Sequence, residues 1–303
     1  MLNIIGKKNW YFLFSFLVIV PGLVSLSLWG LKFSIDFTGG SRMTLLFPKT
    51  VNEKIITDVK GIFIQDNVEV VTVQSSGKRI FVRTKPLNEK QTVKLLAGLH
   101  AKVGDFKQEE FETIGPVIGK EITLNAFKSI IFSSVLIVLY IAWSFRKVPK
   151  PVSSWRFGIC AIIALVHDVL VLLGIFSLLG HFAGVEVDSL FVTAVLTVIG
   201  FSVHDTIVVF DRIRENLRRT TGLPFSQVVN DSILQTLVRS LNTSLTAMLV
   251  LFTLLVFGGE SIRWFVVALL VGITSGTYSS IFNAAPLLVF WEEMSAKRRV
   301  KKS

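Results

Sequence analysis

The sequence predicts a polytopic α-helical membrane protein: six transmembrane helices, with one extracytoplasmic ferredoxin-like α+β domain between the first and second. Three observations carry this. Apolar runs recur that are about 17 to 23 residues long, enough to cross a hydrocarbon core of about 30 Å as helix. The 303-residue chain is 51% hydrophobic, with a mean hydropathy of +0.62; a soluble domain of this size must spend more of its residues covering its own surface. One stretch of ordinary soluble composition, from Lys32 to about Glu121, interrupts the pattern. Buried core helices of a large enzyme are the competing reading, but those are shorter and keep a polar face.

The first run extends from Trp10 to about Leu31, behind Lys7 and Lys8. It is long for the apolar region of a cleaved signal peptide, and no small-x-small cleavage site follows it, so an uncleaved helix is expected. Pro21 and Gly22 lie inside it, which membrane helices tolerate. In the soluble stretch, Met43 to Phe47 reads as a strand and Asn52 to Phe63 as an amphipathic helix. Val68 to Gln74 and Arg79 to Thr84 read as strands joined by a turn at Ser75, Ser76 and Gly77. Asn88 to Lys102 is a second helix with Asn88 as N-cap, and Phe106 to Glu112 closes the sheet. The order β-α-β-β-α-β is that of a ferredoxin-like domain.

Further membrane helices are expected at about 124–145, 157–180, 188–210, 241–257 and 262–290. The last is longer than one span needs and includes Gly272, Gly276 and Pro286, so it can tilt or kink. The domain boundaries that follow are 1–31, 32–122, 123–293 and a basic tail at 294–303.

The formal charge of +11 would suggest nucleic acid in a soluble protein. Here the basic residues sit at the ends of apolar runs and report orientation instead. Arg146, Lys147, Lys150 and Arg156 fall in one connection, and Arg212, Arg214, Arg218 and Arg219 in another. The tail holds Lys297, Arg298, Arg299, Lys301 and Lys302. The opposite short loops are poor in positive charge. Both termini are therefore expected to be cytoplasmic and the soluble domain outside. The lone cysteine, Cys160, rules out a disulfide within the chain. There is no metal-binding constellation, glycine-rich phosphate loop, nucleophile elbow or paired catalytic carboxylates, so no enzyme, cofactor or metal is expected.

Charged groups occur where the bilayer penalises them by about 2.5 to 3.5 kcal/mol even on a lenient scale. His167 and Asp168 fall in the third helix, His204 and Asp205 in the fourth. The fifth is expected to begin with Arg239, followed by Asn242, Thr243 and Thr246. Counted from Leu190, Asp205 lies about 22 Å from the outer end; counted from Phe257, Thr243 lies about 21 Å and Arg239 about 27 Å. Antiparallel neighbours would bring Asp205 level with Thr243 and within a turn of Arg239, which shares its face. An Asp–Arg pair that opens on protonation is a possible proton relay, and a static buried ion pair is the alternative. His167 and Asp168 point about 100° apart, so both cannot face one partner. Gly272 and Gly276 form a G-x-x-x-G spacing, read first as helix packing.

Four segments together carry a resemblance. They are Ser34 to Ser41, containing Asp36-Phe37-Thr38-Gly39-Gly40, then Gly115-Pro116-Val117-Ile118-Gly119, and Ala164 to Val169 with its His-Asp pair. The longest is Gly200 to Asn216. In this order they resemble the SecF family, subunits of the bacterial accessory protein-translocation complex. The resemblance implies a fold related to half of a resistance-nodulation-division exporter. It implies pairing with SecD beside the SecYEG channel and a YajC-like subunit, and use of the proton-motive force to pull an unfolded polypeptide across the plasma (inner) membrane. It implies Asp205 as the intramembrane acid, Arg239 as its basic partner and Thr243 as the nearby polar position. One departure is His204, where the family pattern carries Asn; it places a second titratable group beside the acid. The SecD–SecF fusion of some members is absent, so a separate SecD is expected. Asp36 to Gly40 is read as a hinge or packing element, because paired glycines allow unusual backbone angles. Half of a lipid or small-molecule exporter of the same fold is the alternative function, and a structural scaffold a third.

Overall fold

The structure, a computed structural model, describes residues 2–146, 153–220 and 222–300. Among the described residues, six helices are long and apolar enough to cross a membrane: Ile5–Leu28, Pro116–Ser144, Ser154–Ala183, Ser189–Arg219, Phe225–Phe257 and Glu260–Arg298. The chain is a polytopic helical membrane protein. It divides into two compact units, one of Met1–Lys32 with Lys128–Ser303, the other of Phe33–Phe127. Lys147, Lys150, Lys301 and Lys302, used above for orientation, lie outside the described residues.

In the helical unit, α1 (Lys8–Leu28) contains Pro21 without interruption. It packs on α6 (Ser154–Ala183), where Gly22 and Gly174 meet so closely that a Cβ on Gly174 would lie 2.6 Å from the Gly22 Cα. The helices α7 (Ser189–Arg219), α8 (Phe225–Phe257) and α9 (Glu260–Ser279) complete the bundle. A π-helical turn, Ser280–Ala284, joins α9 to α10 (Ala285–Val300). Pro286 lies just beyond that turn; its missing N–H disrupts the regular ladder and favours a local change of helical pitch.

The fifth span begins sixteen residues earlier than expected, at Phe225 rather than 241, and Arg239 lies well inside α8 rather than at its start. Hydropathy reports where a chain meets hydrocarbon, whereas a helix continues into the interface while its backbone ladder is satisfied. For the same reason α7 continues to Arg219.

The second unit has the element order α2 (Ile35–Thr38), β1 (Gly40–Leu46), α3 (Glu53–Gln65), β2 (Val70–Ser76), β3 (Arg79–Thr84), α4 (Glu89–Val103) and β4 (Lys107–Ile114). After β4 the chain enters α5 (Pro116–Ser144), with proline at its first position, where no N–H is needed. The four strands form one antiparallel sheet in the order β2-β3-β1-β4. Central β1 sets the register, with Met43 opposite Val82 and Phe111, and Leu45 opposite Ile80. Met43, Leu45 and Phe47 alternate onto one face and are buried against Phe63 of α3 and Leu95 and Leu99 of α4. Each such fully buried side chain contributes on the order of 1.5–3 kcal/mol.

Both helices start on asparagine. The Asn52 side chain accepts from Ile55 N–H, and Asn88 forms a reciprocal capping box with Gln91. Ser75 and Ser76 belong to β2 rather than to a turn; the reversal is made by Gly77, at φ +59°, and Lys78. Cross-strand pairing extends each strand until glycine can supply the positive φ.

Candidate functional site

The signature segment is a compact elbow. Ser34 caps the single turn of α2 by accepting from Asp36 N–H at 3.2 Å, and Thr38 donates to Ser34 O at 2.9 Å. Phe33 and Phe37 pack edge to face. Gly39 and Gly40 then take φ values of +71° and +133°. A Cβ on Gly40 would sit 2.6 Å from Thr84 O, and one on Gly119 would sit 3.0 Å from Gly39 N. The two glycine motifs, far apart in sequence, thus press backbone against backbone. Arg83 of β3 locks the elbow, donating to Phe33 O at 2.8 Å and to the Thr38 hydroxyl. Sequence reasoning did not single out Arg83, since a lone arginine in a strand carries no local signal.

Among the membrane helices, the close approach of α9 to α7 places the polar groups. A Cβ on Gly272 would fall 2.1 Å from Val198 Cγ2, and one on Gly276 would fall 3.0 Å from Ser202 Cβ. Thr206 and Ser280 share a hydrogen bond of 2.8 Å across this seam. The G-x-x-x-G spacing here serves packing, and the serines and threonines beside it face two different carboxylates.

Asp205 is 2% exposed. Ser244 of α8 donates to its Oδ2 at 3.4 Å, and Thr277 of α9 donates to Ser244 Oγ at 2.6 Å. Asp205 is thus level with Ser244, the neighbour of Thr243. The face differs from the one expected. Arg239 and Thr243 are exposed, the Thr243 hydroxyl turns back to Arg239 O at 3.0 Å, and buried Ser240 and Ser244 form the inward face. One residue corresponds to about 100° of rotation, so the chain alone does not bring Arg239 to Asp205. Among the described residues the Arg239 side chain makes no hydrogen bond or ion pair. His204 is also exposed, on the outer side of α7.

Asp168 is 1% exposed and far better satisfied. Ser202 and Ser279 each donate to Oδ2 at 2.6 Å, Ser275 donates to Oδ1 at 2.7 Å, and His167 Nδ1 lies 2.9 Å from Oδ1. The adjacent His167 and Asp168, expected to diverge, therefore bind one another. Cβ directions do diverge on a helix, but an imidazole reaches back over its neighbour. The hydroxyl cage was missed in the sequence, although Ser275-x-x-x-Ser279 at i, i+4 beside a helix with a central Asp was its available signal.

Comparison with known proteins now bears on this arrangement. The family described as Protein export membrane protein SecD/SecF, C-terminal, matches residues 95–294, and the SecD/SecF GG Motif matches residues 30–51. A protein translocase subunit SecF from Thermobaculum terrenum is 48% identical over 96% of this chain and 94% of its own. The chain belongs to the SecF family. A Synechocystis SecF is 35% identical, covering 86% of this chain and 82% of its own. Among solved structures, SecDF from Thermus, described as a translocon-associated membrane protein, superposes with a TM-score of 0.83 at 34% identity. That match covers 96% of this chain and 39% of the larger SecDF chain. The matched GG motif contains Asp36 to Gly40, and the longer match contains all the intramembrane polar residues named above.

Proposed function

We propose that this chain is an accessory subunit of the Sec protein-export machinery that, paired with SecD, couples the proton-motive force to late steps of polypeptide translocation. In this reading it lies in the plasma (inner) membrane with both termini cytoplasmic, and its ferredoxin-like domain faces outward, where polypeptide emerges. Asp205 takes up and releases the proton, and Arg239, Thr243 and His204 belong to the same path.

The observation that carries this reading is the incompleteness of the Asp205 region. Among the described residues, a long contact from Ser244, with Thr277 behind it, fills little of the acceptor capacity of a carboxylate that is out of water. At neighbouring positions of α7 and α8, His204, Thr243 and Arg239 occupy outward faces of the bundle. None of the most apolar window of α5 and only 11% of that of α8 is buried. A second membrane subunit over these faces would shield the arginine and give the acid its counter-ion. Relatives in which the two parts are one chain support SecD as that subunit: a Thermus thermophilus SecDF is 36% identical, with this chain spanning 36% of its length. The SecYEG channel and a YajC-like subunit are the further expected neighbours. Nothing in the comparisons favours a lipid or small-molecule exporter.

The test uses Asp205→Asn and Arg239→Met. Both should abolish stimulation of export while membrane insertion and co-purification with SecD persist. Normal export by Asp205→Asn cells would defeat the proposal.

A further inference from the structure

A second titratable cluster lies on the other side of the α7–α9 seam from Asp205, and the function above does not use it. The Asp168 carboxylate receives four contacts from three helices: Ser202 of α7, Ser275 and Ser279 of α9, and His167 of its own helix. Two oxygens offer about four acceptor sites, so the three hydroxyls and Nδ1–H saturate an ionised carboxylate. A protonated one would need one serine to give up its donated bond and rotate its hydroxyl to accept. No lysine or arginine balances this charge among the described residues; the nearest basic group is the imidazole of His167. That imidazole is 9% exposed, and its Nε2 has no hydrogen-bond partner. Four donors at one end of the dyad thus contrast with an unfilled, buried nitrogen at the other.

We infer that the His167–Asp168 dyad is a second proton-holding site, loaded at His167 Nε2 and anchored by the three-serine cage around Asp168. In the unloaded form His167 is neutral, with its proton on Nδ1 donated to Asp168 Oδ1. A proton from the aqueous phase adds to Nε2. The resulting imidazolium keeps its Nδ1–H bond to Asp168, and the pair becomes net neutral without disturbing the serines. The cage, which ties α6 to α7 and α9, thereby persists in both states.

The surrounding groups leave the dyad isolated. From α9, the Tyr278 ring lies 6.3 Å from the His167 ring, with its hydroxyl donated to Tyr11 O of α1 at 2.8 Å. α7 and α9 present serines to the carboxylate, and the π-helical turn presents Ser280, bonded to Thr206, and Asn283, bonded to Ser15. α10 meets α6 through Glu292, which is already paired with Arg156. Asp205, on α7, is engaged by Ser244 instead.

A role in transport rests on the proton-coupled reading above, but titration of the dyad does not require export, so either can fail without the other. The test is nitrogen-15 NMR of the histidine-labelled full chain with unlabelled SecD in lipid bilayers. The chain has four histidines, and His167→Gln assigns the signal. His167 should pass from the Nδ1–H tautomer to imidazolium as the pH is lowered, the charge change open to a histidine. Asp168→Asn should move that transition to lower pH, since the counter-ion is lost. Joint Ser275→Ala and Ser279→Ala substitution should move it upward, because a less solvated carboxylate holds the imidazolium more tightly. A general structural lesion would not shift the transition in opposite senses. If Asp168→Asn does not assemble, the serine pair carries the test alone. A His167 that stays in one neutral tautomer throughout, or a transition unmoved by the variants, overturns the inference.

Discussion

Replacing Gly272 by alanine tests the seam on which both carboxylate sites depend. The added Cβ would lie 2.1 Å from Val198 Cγ2, 2.7 Å from Cγ1 and 2.9 Å from Cβ. A rotamer change cannot relieve this, because the valine Cβ itself is too close, so α7 and α9 must separate. Overpacking of this kind costs about 1–3 kcal/mol. Separation would also lengthen the 2.7 and 2.6 Å bonds from Ser275 and Ser279 to Asp168. The assay is reversible unfolding of the full chain in a bilayer or micelle, with Gly272→Ala, Val198→Ala and the pair. Val198→Ala removes the two methyls that the new Cβ meets at 2.1 and 2.7 Å and leaves only the Cβ contact at 2.9 Å, so it relieves most of the clash. The double variant should therefore be more stable than the sum of the single effects by about 0.5–3 kcal/mol. Additivity within about 0.3 kcal/mol, or a Gly272→Ala cost near zero, would refute the argument from close packing.

Three further outcomes follow from the second unit. Gly40→Ala combines a positive φ with a methyl 2.6 Å from Thr84 O; it should cost upwards of about 1–2 kcal/mol and expose the unit to limited proteolysis. Asn88→Ala removes the acceptor of the α4 capping box and should speed amide hydrogen exchange in that helix, by an amount equivalent to about 0.5–2 kcal/mol. The Arg79 guanidinium, hydrogen-bonded to Glu109 at 2.6 and 3.2 Å, holds that carboxyl below the ordinary carboxylate range. A lowered value in the folded state means that the pair stabilises above the unfolded carboxylate pKa and loses its effect as pH falls through the folded one. Any melting difference between wild type and Glu109→Gln should therefore be present at neutral pH and vanish in strong acid.

How far the sequence could be read depended on which physical quantity was at stake. Apolar run length reports the bilayer thickness, so all six spans were legible. The N-caps at Asn52 and Asn88 were legible because capping is local chemistry. Helical rise is regular, so relative level along antiparallel helices can be counted from the chain, and Asp205 lies level with Ser244, the residue beside Thr243. Rotation was not legible. It depends on how α8 leans on α7 and α9, which leaves Ser240 and Ser244 buried and Arg239 exposed. The cage around Asp168 was equally hidden, because its serines come from α7 and α9 and look like ordinary small packing residues in the chain. The elbow of Asp36 to Gly40 was recognisable as a motif. Its reason, backbone contact with Gly119 and Thr84, lies in residues distant along the chain.

The central claim concerns protons and polypeptide together, and one assay addresses both. Inverted membrane vesicles containing this chain with SecD would be loaded with a stalled, partly translocated polypeptide and given or denied a proton gradient. Wild type should complete translocation faster only when the gradient is present, and Asp205→Asn, at equal abundance and equal SecD pairing, should show no such stimulation. Gradient-dependent completion by Asp205→Asn at the wild-type rate would contradict the proton-relay role assigned to that residue.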